Sequence, residues 1–167
     1  MKQIITTNRL ILRELTLSDS FSFFLLNKNP NNIKYTGDVA FTSLNESEQF
    51  LKNYKEYKKN GFGRWAVIRK QDYKFIGWCG LKKVNDEIDL GFRFYEEYWN
   101  LGYATESAIG VVNYAFDTLR LEKIVARCNL NNIASQRVIE KVGFKFKEQK
   151  DHHGISNALI YILQKSR

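Results

Sequence analysis

A strand, a glycine-containing turn and a long helix follow one another within residues 88–119. Apolar and polar residues alternate at the start of this stretch, which predicts a strand with one buried face. From residue 103 onwards the apolar residues recur at helical spacing, which predicts an amphipathic helix. The turn between them contains Gly102 and Ala104, so backbone N–H groups can approach a ligand closely while the helix dipole adds positive potential. The stretch therefore predicts an anion-binding turn.

Two common phosphate-binding motifs are absent from this turn. A P-loop requires Gly-Lys-Ser/Thr at the helix start, and a dinucleotide fold requires GxGxxG after its first strand. The stretch instead resembles the acyl-CoA-binding segment of the GNAT N-acetyltransferase superfamily, in the RimJ/RimL-like branch, which usually reads Tyr-Trp-Gly-x-Gly-Tyr-Ala-Thr-Glu-Ala. The matching residues are Tyr98, Trp99 and 102–106, whereas Asn100 and Ser107 depart from the pattern. Asn tolerates positive φ, so the first departure is compatible with the turn.

Two further segments resemble the same branch. Residues 7–13 contain its Thr-x-Arg-Leu-x-Leu-Arg opening, and residues 132–144 match its Asn-x-Ala-Ser-x-x-Val-Leu-Glu-Lys-x-Gly-Phe, with Ile139 in place of Leu. The resemblance extends over nearly the whole chain and implies one domain, residues 1–167. The implied fold is α+β: a mixed, mostly antiparallel, strongly twisted sheet of six to seven strands, flanked by about four helices, with a splay between the fourth and fifth strands.

The predicted elements follow the order that this fold requires. A first helix ends at Pro30, and a second runs from about Ser43 to Gly61. Two-residue breaks at 71–72 and 85–86 predict hairpins. Strands are predicted at residues 6–15, 64–70, 73–84, 87–95, 123–128, 144–151 and 157–164, with later helices at 103–119 and 131–142.

The composition favours a cytoplasmic protein. A length of 167 residues with 44% hydrophobic content suits one domain with a substantial core. The sequence has no apolar run long enough to span a membrane, and its N-terminus lacks the layout of a signal peptide. Cys79 and Cys128 are isolated, which favours free buried thiols in a reducing compartment. His152 and His153 have no third ligand nearby in the sequence, so no metal is expected.

The chain carries a net charge of +8, from 26 Lys and Arg against 18 Asp and Glu. This excess favours anionic ligands or neighbours and leaves ribosome association open. Basic clusters at residues 52–59 and 145–150 favour solvated faces over a nucleic-acid surface, because no RNP, helix-turn-helix or zinc-finger pattern accompanies them. The sequence does not distinguish a monomer from a homodimer.

The resemblance implies that acetyl-CoA lies where two neighbouring parallel strands separate, at residues 90–94 and 123–128. Gly91 suits a bulge that would start this separation. Free backbone groups beside the gap would bind the pantetheine arm, the turn amides would bind the pyrophosphate, and Asn132 would lie near the pantetheine. The expected cofactor-binding residues are Phe92, Arg93, Phe94, Leu101, Gly102, Tyr103, Ala104, Thr105 and Asn132.

Asp89 and Ser135 are the expected catalytic residues. Asp89 lies beside the gap and is the candidate base or amine-orienting group, with Glu14 and Glu106 as weaker alternatives. An exposed strand carboxylate without a catalytic role is an equal alternative for Asp89. Many GNAT enzymes have a Tyr at the position of Ile139, whereas the branch that this chain resembles places a Ser near the thioester sulfur, and Ser135 occupies that place. Local helix capping is the alternative role of Ser135.

The resemblance implies an acetyl-CoA-dependent N-acetyltransferase whose acceptor is a primary amine. The leading acceptor is a protein N-terminal α-amine, and a small-molecule amine such as a polyamine or an antibiotic is nearly as well supported. A non-catalytic RNA- or ribosome-associated module that keeps the CoA fold is the rival from another class. The two early helices and their connection usually form the acceptor wall, so Asn31, Tyr35 and Tyr54 are the expected substrate-binding residues.

Overall fold

One mixed sheet forms the centre of the fold in the computed structural model, which describes residues 3–152 and 154–165. The strand order is β1-β2-β3-β4-β5-β6-β8-β7, and every neighbouring pair is antiparallel except β5 and β6. The strands are β1 (Gln3–Thr6), β2 (Leu10–Glu14), β3 (Arg64–Arg69), β4 (Phe75–Val84), β5 (Glu87–Phe94), β6 (Lys123–Asn129), β7 (Lys145–His152) and β8 (Ile155–Gln164).

The α-helices of the described residues lie between these strands. Ser43 caps α3 because its hydroxyl accepts a hydrogen bond from the Glu46 amide. Gly143 ends α6 at φ 107°, a conformation that favours glycine. The helices are α1 (Ser20–Lys28), α2 (Pro30–Ile33), α3 (Leu44–Asn53), α4 (Glu56–Asn60), α5 (Tyr103–Asp117) and α6 (Ile133–Val142).

The structure confirms the α+β class and the mostly antiparallel sheet, but the sheet has eight strands instead of six to seven. The predicted first strand is in fact two, because a tight turn closed by a hydrogen bond from the Thr7 amide to the Leu10 carbonyl separates β1 from β2. The predicted second helix is interrupted at Tyr54, whose backbone is extended at φ −75° and ψ 97°. Pro30 opens the short helix α2, where its missing N–H costs nothing.

The two faces of the sheet have separate cores. One core packs α5 and α6 against the sheet and includes Trp65, Leu90 and Ile139. The other lies under α1 and α3 and includes Phe23 and Trp78. Because both faces are covered, strands such as β4 are apolar on both sides over most of their length.

The sheet opens between β5 and β6. These parallel strands pair only at Asp89 with Val125 and at Leu90 with Ala126, which confirms the predicted splay. The predicted bulge at Gly91 is wrong, because the register between β4 and β5 runs without interruption. Gly91 instead makes room for an indole, since a Cβ atom there would lie 3.2 Å from the ring of Trp78.

Candidate functional site

A cleft of about 950 Å³ begins where β5 and β6 separate, and residues from the N-termini of α5 and α6 line it. The cleft brings together most of the side chains that the sequence singles out, from segments far apart in the chain. The expected residues that line it are Asn31, Tyr35, Asp89, Phe92, Arg93, Phe94, Gly102, Tyr103, Ala104, Thr105, Asn132 and Ser135.

The turn before α5 has the geometry of an anion-binding site. Asn100 and Gly102 both have positive φ, 60° and 81°, so the turn has left-handed backbone at two of its residues immediately before the helix. The first N–H groups of an α-helix have no intrahelical acceptor, and Gly102, the N-cap of α5, has no side chain that could accept a hydrogen bond from them. These donors and the helix dipole fit a diphosphate.

Arg9 belongs to the matched opening segment, but the sequence did not predict that it supports this turn from outside. Its Nη1 atom donates to the Leu101 carbonyl at 3.0 Å, and its guanidinium lies 4.4 Å from the ring centre of Tyr103. Leu101 is exposed and does not line the cleft, so its contribution is the shape of the backbone. The β1–β2 hairpin thus fixes the turn that opens α5.

The edge of β5 that faces the splay provides free main-chain groups. Beyond Leu90 this edge has no strand partner on the β6 side, although the Phe94 carbonyl accepts a hydrogen bond from the Trp99 indole at 2.9 Å. The Arg93 side chain is buried and forms an ion pair with Asp38 at 2.5 Å. Arg93 therefore ties the 36–40 connection to the sheet, while its backbone lies along the cleft.

Asp89 lies at the closed end of the splay beside Arg127. The Arg127 Nη1 atom is 3.1 Å from the Asp89 Oδ2 atom, and Arg127 also forms an ion pair with Glu87. Asp89 Oδ1 is buried without a hydrogen-bond partner in the described part of the chain. Burial raises the pKa of Asp89 to about 6, against the lowering influence of Arg127 and Lys82. A carboxylate that titrates near 6 is well matched to accepting a proton at neutral pH.

Asn132 and Ser135 form the first turn of α6 at the other edge of the cleft. The Asn132 Oδ1 atom accepts a hydrogen bond from the Ser135 amide at 3.1 Å, so Asn132 is a helix cap as well as a cleft residue. The Ser135 hydroxyl has no partner in the described part of the chain and remains available as a donor. Ile139, one turn further on, is buried and has no proton to donate.

Two of the expected substrate-binding residues lie in the cleft and one does not. Tyr35 lines the cleft, and so does Asn31, whose side-chain Nδ2 atom donates to the Glu96 carboxylate at 3.0 Å. Tyr54 lies outside it, because its hydroxyl accepts a hydrogen bond from the Arg64 amide at 2.7 Å and its ring packs on Phe50. The interruption between α3 and α4 turns this side chain inward.

The two alternative carboxylates also lie outside the cleft lining. Glu106 accepts hydrogen bonds from the Thr7 hydroxyl at 2.6 Å and from the Arg9 amide at 2.8 Å. Glu14 belongs to β2, which β3 and β4 separate from β5, the strand that carries Asp89. Asp89 is therefore the carboxylate of the three that the fold brings to the cleft.

The sequence reasoning missed several residues of the cleft. Arg127 offered a signal, because it is a charge inside the apolar strand β6. Asp38, Arg64 and Trp78 also line the cleft, but they come from three different segments and no local pattern joins them. The connection that contains Asp38 also reaches the β7–β8 hairpin, since a Cβ atom on Gly37 would lie 2.7 Å from the Gly154 carbonyl oxygen.

The described residues offer neither a metal cluster nor a membrane-spanning helix. Residues 3–152 and 154–165 contain no group of three or more His, Cys, Asp or Glu side chains that is suited to a metal ion. His153 lies outside the described residues. Within those ranges, no helix is both long enough and apolar enough to cross a membrane.

The chain is similar to known acetyltransferases in sequence and in fold. The sequence profile of the acetyltransferase (GNAT) domain matches residues 9–145. The chain is 30% identical to an uncharacterized N-acetyltransferase, YoaA, of Bacillus subtilis (strain 168), over 87% of this chain and 84% of that one. Spermidine N-acetyltransferase from Vibrio cholerae, solved with CoA and spermine, superposes with a TM-score of 0.80 at 21% identity, covering 93% and 95% of the two chains.

A second solved structure has the same fold and a different acceptor. Ribosomal-protein-S5-alanine acetyltransferase from Vibrio fischeri superposes with a TM-score of 0.79 at 17% identity, covering 95% of this chain and 94% of the other. At these identities the two structures show the shared fold alone. They do not choose between a polyamine and a protein acceptor.

Proposed function

This chain belongs to the acetyltransferase (GNAT) family, and from that premise we propose that it acetylates a protein N-terminal α-amine as a member of the RimJ/RimL-like branch. The observation that carries the proposal is a single cleft that joins an anion-binding turn to a carboxylate through two separating strands. The three matched segments at residues 7–13, 98–107 and 132–144 support the branch.

Acetyl-CoA, the acetyl donor of the family, would supply a thioester whose carbonyl carbon is attacked by the amine as CoA leaves. The amides of residues 101–105 would hold its pyrophosphate, and the free edge of β5 at Phe92–Phe94 would hold the pantetheine, with Asn132 nearby. The two left-handed residues of the turn and the unpaired strand edge support this fit. Main-chain groups would do most of the binding, so few specific side chains are required.

The acceptor chemistry favours an α-amine. An α-amine has a pKa of about 7.7–8.0, against about 10.4 for Lys, so a useful fraction is already neutral at pH 7. Asp89, with one unpartnered oxygen, would orient the amine and take the proton that it loses on forming the amide. Ser135 would donate a hydrogen bond from its hydroxyl toward the sulfur, in place of a Tyr at position 139.

Mass spectrometry after incubation with acetyl-CoA and a panel of amines tests this function. We expect a gain of one acetyl group on peptides with a free N-terminus, and a smaller yield on the same peptides when only a Lys amine is free. Preferential acetylation of spermidine or of an antibiotic would move the acceptor to the small-molecule class. If no amine is acetylated but RNA is bound in a salt-sensitive way, the chain is a non-catalytic module instead.

A further inference from the structure

Arg64 has no carboxylate partner in the described part of the chain, although it lines the cleft. Its guanidinium carbon lies 4.6 Å from the ring centre of Trp78, so the group is held against the aromatic floor of the cleft. Arg93 lies over the same ring at 5.7 Å, but its charge is paired with Asp38 at 2.5 Å. The charge of Arg64 therefore remains available to a ligand.

Two lysines extend this positive region. Lys82 and Lys83 are exposed, line the same cleft and form no ion pair within the residues that the structure describes. Lys82 stands directly opposite Asp89 in the register of β4 and β5. The unpaired cation of Lys82 thus lies beside the carboxylate that would receive the amine, whereas Lys83, the next residue on the strand, leaves the other face of the sheet.

The sheet register places the two ends of a ligand in this region. Arg64 pairs with Gly80, Gly80 pairs with Gly91, and Asp89 lies two residues before Gly91 on the same strand. Neighbouring strands lie about 4.8 Å apart and residues rise about 3.3 Å along a strand, so the Cα atoms of Asp89 and Arg64 lie on the order of 12 Å apart, and a ligand that reaches both side chains bridges what remains of that separation. The glycines contribute no side chain between them, and the Trp78 ring covers Gly91.

We propose that Arg64 binds an anionic group of the acceptor, so that the preferred acceptor is an amine that also carries a carboxylate. The inference rests on the proposed function, in which Asp89 receives the amine. A planar guanidinium stacked on an indole is pre-organised for a carboxylate and loses little side-chain freedom on binding it. A polyamine would bring further positive charge toward Arg64 and Lys82 and is disfavoured for that reason.

Two sources offer this chemistry: an acidic side chain close to the N-terminus of a peptide, and a free acidic amino acid. Steady-state acetylation of Ala-Glu-Ala, Ala-Gln-Ala, glutamate, glutamine and spermidine distinguishes them. We expect wild-type kcat/KM to be higher for the Glu peptide than for its Gln isostere, and higher for either than for spermidine. Glutamate as the best acceptor would assign the site to the free amino acid and leave the role of Arg64 intact.

The variant Arg64→Gln removes the charge but keeps a planar polar group. We expect the preference for Ala-Glu-Ala over Ala-Gln-Ala to fall by about tenfold or more, the size of a lost charge-assisted hydrogen bond. Arg64→Lys keeps the charge without the planar fork and should restore part of the preference. Lys59→Gln is the matched control, because Lys59 is an exposed residue of α4 outside the cleft, and the preference should not change.

Equal loss on both peptides in Arg64→Gln, or a wild-type preference for spermidine, overturns the inference while leaving the acetyltransferase function in place. If no acceptor is acetylated, calorimetry of Ala-Glu-Ala against the protein saturated with CoA still tests whether Arg64 binds an anionic group. Binding that is weakened selectively by Arg64→Gln supports the anion subsite even though the proposed function has failed. If calorimetry detects no binding of Ala-Glu-Ala, the anion subsite is rejected.

Discussion

Asp89 owes its chemistry to burial and to three charged neighbours. Burial, the largest influence, and Glu87 raise the pKa of this carboxyl group, whereas Arg127 and Lys82 lower it, with a result of about 6. Arg127 is nearly fully buried, with 3% of its side chain exposed, so its charge acts on Asp89 with little screening by water. An isolated carboxylate on an exposed strand would titrate near 3.9 and would be a poor base at neutral pH.

The pH dependence of the reaction tests Asp89 directly. A base must be deprotonated to act, so kcat/KM should fall as the pH drops below about 6, in addition to the limb near 8 from an α-amine acceptor. Asp89→Asn should lower kcat/KM at pH 8 by about a hundredfold and keep only the limb near 8. Rate profiles between pH 5 and 9 on one peptide give this result.

Glu87→Gln is the matched variant for this profile. It removes the same charge two residues away and leaves Asp89 in place, and since Glu87 raises the pKa of Asp89, its loss should move the lower limb to below pH 6. Asp89 would not be the base if Asp89→Asn retained the limb near 6, or if Glu87→Gln moved that limb upward.

At the scale of the element, the start of α5 is where a strand, a turn and a helix act as one unit. The left-handed residues Asn100 and Gly102 bend the chain so that the helix begins with unpaired N–H groups at the cleft. A side chain at position 102 would project beside the Arg9 guanidinium, since a Cβ atom there would lie 3.3 Å from Nη2. Bulk at this position would therefore press on Arg9, which donates to the Leu101 carbonyl and supports the shape of the turn.

Gly102→Glu should weaken CoA binding by at least about tenfold, because the new carboxylate repels phosphate groups that lie close to it. Isothermal titration with CoA measures the effect. Gly61→Glu is the control, because Gly61 has a similar φ of 77°, lies in open space and is not in the cleft. Both variants incur strain of order 1 kcal/mol, so only the loss of affinity separates them. If Gly102→Glu binds CoA as tightly as Gly61→Glu does, the phosphates lie elsewhere.

At the scale of the whole molecule, Glu106 joins the beginning of the chain to its central helix. It accepts hydrogen bonds from Thr7 and Arg9, about a hundred residues earlier, and its Oε2 atom lies 2.6 Å from the Arg9 Nε atom. Burial tends to raise the pKa of Glu106, but the hydrogen bonds from Thr7 and Arg9 outweigh it and lower the pKa. The carboxylate therefore stabilises the folded state when it is ionised.

Glu106→Gln should reduce the free energy of unfolding at pH 7 by about 1–2 kcal/mol, a value discounted because Arg9 is partly exposed. The melting temperature should then fall by about 2–8 °C. A carboxylate with a lowered pKa contributes its full stabilisation above the unfolded-state pKa and loses it as the pH falls through the folded-state pKa, so the gap from wild type should begin to narrow below about pH 4. Glu122→Gln, on an exposed turn, is the control in thermal melts and should leave stability unchanged. A gap that stays constant or widens as the pH falls below 4 would contradict this account.

Local sequence patterns by themselves determine much of this protein. Alternation and helical spacing locate the strands and the longer helices, and the turn at 100–105 is predicted as an anion site because its residues are contiguous. Two errors remain: the β1–β2 turn contains no glycine or proline to mark it, and the interruption at Tyr54 coincides with a tertiary hydrogen bond from the Arg64 amide that no local pattern indicates.

Only the tertiary structure decides what surrounds Asp89 and Arg64. Parallel pairing of β5 with β6 brings Arg127 to Asp89, and burial of both then sets the charge of the carboxylate. The register across β3, β4 and β5 places Arg64 and Trp78 in the same cleft. Sequence periodicity reports which face of an element is apolar, but it does not report which element lies next to it, and the strength of a charge depends on those neighbours and on the exclusion of water.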